Sequence, residues 1–148
     1  MGIAAEHLAT GILRSLLGSS LQQTTSSTRG PRIIFATPTG ERHELGGLIA
    51  AVTALGAGAS PLFLGVDLPV NDLLRAADET GAVALALSLV TIPTSEATRV
   101  VVELREGLTE ATRLWLGGSG AGALELPVGA EHIASLENLE QRIGLLQV

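Results

Sequence analysis

A polar segment that follows an early apolar run carries residue types suited to metal coordination, namely Glu41, His43 and Gly46. A neutral imidazole is a good ligand for cobalt, zinc or iron. The carboxylate two residues earlier could accept the other ring N–H and so set the tautomer of the imidazole. A protein-only zinc site is poorly supported, because the chain has no cysteine and its other histidines, His7 and His132, are distant in sequence. The alternative interpretation is a solvated loop histidine beside a capping glutamate.

Two further segments have compositions that suit a ligand site. Ser88 directly follows the apolar run at 82–87, where its hydroxyl can donate to a ligand that enters between strands or can merely cap the strand. Gly117 and Gly118 follow another short apolar run, and the missing side chains would let a ligand approach the backbone. Neither a G-x-x-x-x-G-K-[ST] loop nor a G-x-G-x-x-G motif after the first strand is present. A nucleotide-phosphate loop is therefore weakly supported, and an ordinary turn at the glycines stays open.

Strand-like and helix-like segments alternate along residues 31–148. Strands are predicted over residues 32–36, 61–65, 82–87 and 113–116, with a short fifth strand near 132–133. Helices are predicted over residues 45–55, 70–80, 95–107 and 136–146. This alternation predicts an α/β fold with a doubly wound, five-stranded parallel sheet of the Rossmann or flavodoxin-like type. Ligands of such sheets bind outside the carboxyl ends of the strands, where the segments described above lie.

The first residues predict a separate helix. Ile3, Leu8, Ile12 and Leu16 fall near one face at helical spacings over residues 3–17. Residues 18–30 are rich in Gly, Ser, Thr and Gln, which indicates a linker. We therefore expect a helical segment at 1–17, a linker at 18–30 and a ligand-binding domain at 31–148.

Composition and charge narrow the function classes. The chain has 148 residues, a net charge of −6 and no cluster of Lys and Arg, so nucleic-acid binding by its own surface is disfavoured. Its apolar content of 46% is typical of a globular protein. No apolar run reaches the roughly 18 residues of a membrane span, and the N-terminus lacks the pattern of a signal peptide. We therefore expect a cytoplasmic protein.

Taken together, the pattern Glu-x-His-x-x-Gly, the later Ser-x-Val at 88–90 and the Gly-Gly pair closely resembles the signature of cobalamin-binding Rossmann-like domains. The resemblance covers about residues 30–148. It implies a base-off, His-on mode, in which His43 is the lower axial ligand of cobalt and Glu41 holds the other ring nitrogen. The nucleotide tail of the cofactor would enter a slot between the sheet and its helices. The resemblance also assigns to the cofactor Gly46 at the start of the first helix of the domain, Ser88 on the base, Val90 packed against it, and Gly117 and Gly118 beside the tail.

The pair Glu6-His7 resembles a Glu-His pair in the helical-bundle cap of light-sensing, MerR-type cobalamin-dependent regulators. The resemblance implies that residues 1–17 are the last helix of such a cap, over the upper face of the corrin. Adenosylcobalamin is then the expected cofactor, light would break its cobalt–carbon bond, and His7 could take the vacated upper position on cobalt. In that family DNA is bound through a helix-turn-helix domain, for which this sequence has no counterpart, and the full-length protein forms homo-oligomers.

The resemblance thus implies the sensory domain of a transcriptional regulator rather than an enzyme. A corrinoid carrier module of a methyltransferase system shares the same lower-face motif and stays open as the alternative. A degenerate domain that serves only in dimerisation is a third hypothesis. The upper ligand (adenosyl, methyl or hydroxyl) also stays open, as does the question of whether the sequence is a fragment of a longer regulator.

Overall fold

The computed structural model describes residues 2–25 and 29–147. Its strands are β1 (Arg32–Pro38), β2 (Ser60–Leu68), β3 (Ala84–Ser88), β4 (Arg113–Gly117) and β5 (Ala130–His132). Its helices are α1 (Ile3–Thr25), α2 (Leu45–Gly56), α3 (Val70–Thr80), α4 (Thr94–Gly107) and α5 (Leu136–Leu146). The five strands in these ranges are all parallel and lie in the order β2-β1-β3-β4-β5. The predicted α/β fold with a five-stranded parallel sheet is confirmed.

The position of β1 determines where a ligand can bind. β1 lies between β2 and β3, so the chain winds outward from it in both directions. Such a switch point leaves a crevice at the carboxyl ends of the strands, because the following segments leave the sheet on opposite sides. The loops after β1 and β3 flank this crevice.

Both faces of the sheet are covered, and alternate strand residues supply two cores. Ile34 and Leu114 belong to the core on the side of α3 and α4. Ile33, Phe35 and Trp115 belong to the core on the side of α2 and α5. The continuous apolar character of the central strands follows from this two-sided burial.

Helix α1 is longer than the sequence predicts. It runs from Ile3 to Thr25, so the first part of the predicted linker at 18–30 is helical, and residues 26–28 of that linker lie outside the described residues. The reason is tertiary packing, since Leu17 and Leu21 join the core beside α2 and outweigh the poor helix propensity of the Gly-Ser segment. No helix within the described ranges is long and apolar enough to cross a membrane.

The carboxyl end of β2 is irregular and extends beyond the predicted strand. The register against β1 shifts twice, once between Phe35 and Ala36 and again between Ala36 and Pro38. Each shift leaves an extra residue on β2, as in a β-bulge, which increases the local twist. The shifts bring Asp67 to the loop that follows β1, where the candidate site lies.

Candidate functional site

The loop after β1 holds His43 against a buried carboxylate. Glu41 is fully buried, whereas 60% of the His43 side chain is exposed. The Nδ1 atom of His43 lies 2.8 Å from Oε1 of Glu41. Because an ionised carboxylate can only accept, Nδ1 carries a proton, and in the neutral form of the ring Nε2 has a free lone pair. The exposed edge of the imidazole is therefore ready to coordinate a metal.

The other oxygen of Glu41 is held by the loop after β3. Oε2 accepts three consecutive backbone N–H groups, from Val90 at 2.7 Å, Thr91 at 2.7 Å and Ile92 at 3.0 Å. Consecutive amides of this kind form a concave anion site. The Thr91 hydroxyl adds a bond to Oε1 at 3.2 Å and lies 3.4 Å from Nδ1 of His43. The carboxylate thus joins the loops after β1 and β3 across the switch point.

These contacts explain the charge state of Glu41. Burial by itself raises the pKa of a carboxyl group, because it disfavours the charged form. Hydrogen bonds from the three backbone amides and the imidazole outweigh burial and lower the pKa of Glu41 from 4.5 to about 2. Glu41 is therefore an anion at neutral pH, as its role toward Nδ1–H requires.

Asp67 fixes the loop after β1 from the side of β2. Its Oδ1 accepts the N–H of Gly40 at 2.8 Å, and its Oδ2 lies 3.7 Å from the Arg42 guanidinium. Its own N–H donates to the Thr37 hydroxyl at 2.9 Å. Asp67 has a φ of 60°, the left-handed region that L residues other than Asn and Asp seldom adopt. Among the described residues other than glycine, no further one has a positive φ, so backbone strain of this kind is confined to the end of β2.

Gly118 lets the loop after β4 approach the loop after β3. Gly118 has a φ of +90°, and a Cβ at this position would lie 2.4 Å from the carbonyl oxygen of Leu89. Leu89 N–H donates to the Gly117 carbonyl at 2.9 Å, and Gly120 N–H donates to the Leu89 carbonyl at 2.8 Å. These bonds hold the segment whose next three amides face Glu41. The glycine pair thus supports the His43 loop indirectly.

A cavity of about 260 Å³ opens between the sheet and helices α2 and α5. Ala50 of α2 and Leu139 of α5 are among its apolar walls. Five of the predicted site residues line it. They lie at the start of α2, at the end of β3 and in the loop after it, and at the end of β4: Gly46, Ser88, Val90, Gly117 and Gly118. This cavity is called the slot below.

One row of neighbouring residues across the sheet lines the slot. Phe35 of β1, Ala86 of β3 and Trp115 of β4 are direct register partners, and all three line the slot. Trp115 is 1% exposed, as expected for a core residue, yet its indole Nε1–H has no hydrogen-bond partner in the part of the chain that the structure describes. Trp115 is therefore both a core residue and a wall of the slot.

The structure does not bring every predicted site residue to this edge. Glu6 and His7 are exposed on α1, and in residues 2–25 and 29–147 no hydrogen bond or ion pair joins their side chains to Glu41 or His43. An ion pair between Arg14 and Glu44 is the contact by which α1 reaches the loop after β1. No group of three or more metal-ligating side chains occurs in the described ranges.

Sequence reasoning missed three functional contributors. Thr91 had no signal, because a hydroxyl in a loop is too common to be informative. The contribution of Val90 through its backbone N–H is invisible in the identity of the residue. Asp67 stands in the segment Asp67-Leu68-Pro69, but the sequence alone does not show that it reaches Gly40.

Comparison with known proteins gives relatives of two kinds, a transcriptional repressor and corrinoid proteins. No family model matches the chain. The HTH-type transcriptional repressor CarA of Myxococcus xanthus is 28% identical over 144 residues, which cover 94% of this chain and 49% of that protein. Dimethylamine corrinoid protein 3 of Methanosarcina acetivorans is 30% identical over 121 residues, which cover 80% of this chain and 55% of that protein. The chain thus spans about half the length of these relatives.

Solved structures with the same fold agree with these relatives. A cobalamin-binding protein from Desulfitobacterium hafniense superposes with a TM-score of 0.54 at 25% identity, over 91% of this chain and 62% of that one. The monomethylamine corrinoid protein of Methanosarcina barkeri superposes with a TM-score of 0.62 over 89% of this chain and 65% of that one. Its 15% identity supports the fold alone. The chain thus has the Rossmann-like α/β fold of cobalamin-binding domains and is similar in sequence to a cobalamin-binding protein, to corrinoid proteins and to the repressor.

Proposed function

We propose that this domain binds cobalamin in the base-off, His-on form and serves as the sensory domain of a transcriptional regulator. The observation that carries the proposal is the pairing of a metal-ready imidazole with a slot beside it. Glu41 fixes Nδ1 of His43 at 2.8 Å and leaves Nε2 free, and the slot begins at Gly46, three residues further along the chain.

The residues of the slot fit the nucleotide tail of such a cofactor. A Cβ at position 46 would meet Ser88 Oγ at 3.7 Å, so the glycine keeps the space beside that hydroxyl clear. Ser88 would hydrogen-bond the base, and Val90 would pack on it. Gly117 and Gly118 would leave room for the tail.

His43 would be the lower ligand of cobalt, and Glu41 would accept its Nδ1–H and hold the ring in orientation. When bound, adenosylcobalamin supplies a light-labile cobalt–carbon bond, and the protein supplies orientation and the response. His7 would stand ready on α1 for the upper side. In this role the domain is a sensor in the cytoplasm and not an enzyme, and DNA contact belongs to another part of the regulator.

The extent of similarity favours the sensor over a methyl carrier. The alignment with the repressor covers 94% of this chain, whereas the alignment with the corrinoid protein covers 80%. Helix α1 carries the Glu6-His7 pair, which resembles the cap of the regulators and which a carrier's cap would lack. The carrier module remains the alternative that the experiment below separates.

The test is reconstitution with adenosylcobalamin in the dark, followed by visible absorption spectra and gel filtration before and after illumination. We expect uptake of cobalamin with the spectrum of a histidine-coordinated, base-off form. His43→Ala should abolish that spectrum, while His132→Ala, a matched control at an exposed histidine, should retain it. Failure of the wild type to bind, or an unchanged spectrum in His43→Ala, would refute the proposal.

Illumination separates the two roles. A sensor should change its hydrodynamic radius or oligomeric state after photolysis, and His7→Ala should alter the spectrum of the illuminated form only. A carrier should bind methylcobalamin equally well and show no light-dependent change in size. Cobalamin binding with no response of any kind to light would remove the photoreceptor part of the proposal.

A further inference from the structure

Helix α1 carries apolar side chains on two opposite sides. Leu17 and Leu21 pack into the core beside α2. Leu8 and Ile12, by contrast, are 66% and 53% exposed. Each of these exposed residues precedes one of the packed residues by nine positions, which is about two and a half turns of an α-helix. The exposed pair therefore faces away from the domain, although a helix that is apolar on both sides is normally covered on both.

The outward side of α1 has the pattern of a helix face that packs on another helix. Four exposed, uncharged residues recur there at the spacing i, i+3, i+4 and i+7, and are called the α1 stripe: Ala5, Leu8, Ala9 and Ile12. The charged residues of α1 at neutral pH, Glu6 and Arg14, each stand two positions from a large residue of the stripe, about 200° around the helix. Arg14 accordingly pairs with Glu44 of the domain. The stripe is therefore apolar and free of charge.

A second copy of the chain offers the α1 stripe a matching surface. Outside α1, the large apolar side chains that are exposed in the described ranges are scattered over α2, α4, α5 and the loop before β5: Ile49, Val102, Val128, Leu136 and Leu145. The two on α5 stand nine positions apart and so lie on opposite sides of that helix. The chain has a net charge of −6, so two copies repel each other over most of their surfaces. Contact between the two stripes avoids this repulsion and desolvates no charged group.

We propose that the α1 stripes of two copies of this chain pack against each other around a twofold axis. The two alanines of the stripe would let the helices approach closely, and Leu8 and Ile12 would interdigitate with their counterparts. One helix face buries less than the roughly 1,200 Å² of a standard interface, so the association should be weak, with a Kd of about 10–100 µM. At the dilution of a urea melt, about 1 µM, the chain is then a monomer. The inference does not depend on cobalamin binding.

The test is sedimentation equilibrium of the cobalamin-free protein from about 1 µM to about 1 mM, a range that brackets this Kd. The wild type should pass from monomer to dimer. Leu8→Asp places a charge in the α1 stripe and should raise the Kd at least about tenfold. Val128→Asp adds the same charge at a residue that is 98% exposed outside the stripe, and should leave the Kd unchanged. A wild type that stays monomeric at the highest concentration would overturn the inference and leave the stripe to other helices of the expected cap.

Cross-linking locates the interface even if Leu8→Asp disturbs the helix. The chain has no cysteine, so single cysteines can be introduced without a background reaction. Under mild oxidation at a concentration above the Kd, Ala9→Cys should form a disulfide-linked dimer, because a disulfide requires the two backbones to lie close together. Val128→Cys is the control and should cross-link far less. Equal cross-linking of the two variants, or a dimer that Leu8→Asp does not weaken, would place the contact elsewhere and overturn the inference.

Discussion

The loop that carries His43 and the N-terminal half of α1 are built in opposite ways. Around Glu41, each carboxylate oxygen is engaged and the side chain is fully buried. Along α1, apolar side chains point to solvent, with Leu8 66% exposed and Ile12 53% exposed. Only further along the helix does an apolar residue reach the core, where Leu21 is 7% exposed.

This difference bears on how the two sides of the proposed cobalamin site would work. The lower side is held by contacts within the domain, so His43 is oriented before any ligand arrives and little ordering entropy is lost on binding. On the proposed upper side, α1 is anchored by its C-terminal half and by the Arg14–Glu44 ion pair, while the apolar side chains of its first turns are exposed and would be available to what binds there. A rigid lower ligand with a movable upper element is what a sensor needs.

The largest loss of stability should come from substitution of Glu41, which lies at the centre of the contacts around His43. Glu41→Ala would leave three backbone amides and the His43 ring without their acceptor. We expect the free energy of unfolding to fall by about 3–5 kcal/mol, measured by urea denaturation of the cobalamin-free protein. Glu96→Ala, at an exposed glutamate, is the control and should change it by less than about 0.5 kcal/mol. Equal midpoints for Glu41→Ala and the control would show that the network does not stabilise the loop.

Acid should lower the free energy of unfolding of the wild type by part of the amount expected for Glu41→Ala. Because the pKa of Glu41 falls from 4.5 to about 2 on folding, its contribution is fully present above pH 4.5 and is lost as the pH approaches 2. The shift corresponds to about 3 kcal/mol. The measurement is the difference in unfolding free energy between wild type and Glu41→Gln at about pH 6 and about pH 2.5. A difference that does not shrink in acid would contradict the assignment.

Much of the fold could be predicted from the sequence, because its signals are local. Helices at 70–80 and 136–146 have the predicted bounds, and the apolar run at 82–87 overlaps β3 at residues 84–87. The predicted end of α1 at residue 17 was wrong, because packing of Leu21 in the core outweighs the local helix propensity and the helix continues to Thr25. In the site, side chains such as His43 and Ser88 were identifiable by type and spacing. The amides that hold Glu41 were not, because backbone donors leave no trace in residue identity.

A smaller loss of stability is expected at Gly118, where the loop after β4 supports the loop after β3. Gly118→Ala would place a Cβ 2.4 Å from the Leu89 carbonyl at a φ of +90°, so the loop after β3 must shift. We expect a loss of about 2–3 kcal/mol in urea denaturation. Gly122→Ala is the matched control, since its Cβ would meet the His132 ring at an ordinary 3.4 Å. Similar stability of the two variants would mean that the close approach at Gly118 is not needed.

The smallest change in stability should come from substitutions in the exposed N-terminal half of α1. These variants directly test the difference between this half of the helix and the loop that carries His43. Leu8→Ser and Ile12→Ser remove apolar groups that are more than half exposed, so each should change the unfolding free energy by less than about 0.5 kcal/mol. Leu21→Ala, on the same helix but buried, should lower it by about 2 kcal/mol or more. A large loss in Leu8→Ser would mean that the N-terminal half of α1 is held by the domain after all. The upper side would then be as rigid as the lower one, and a movable cap helix would no longer explain a response to light.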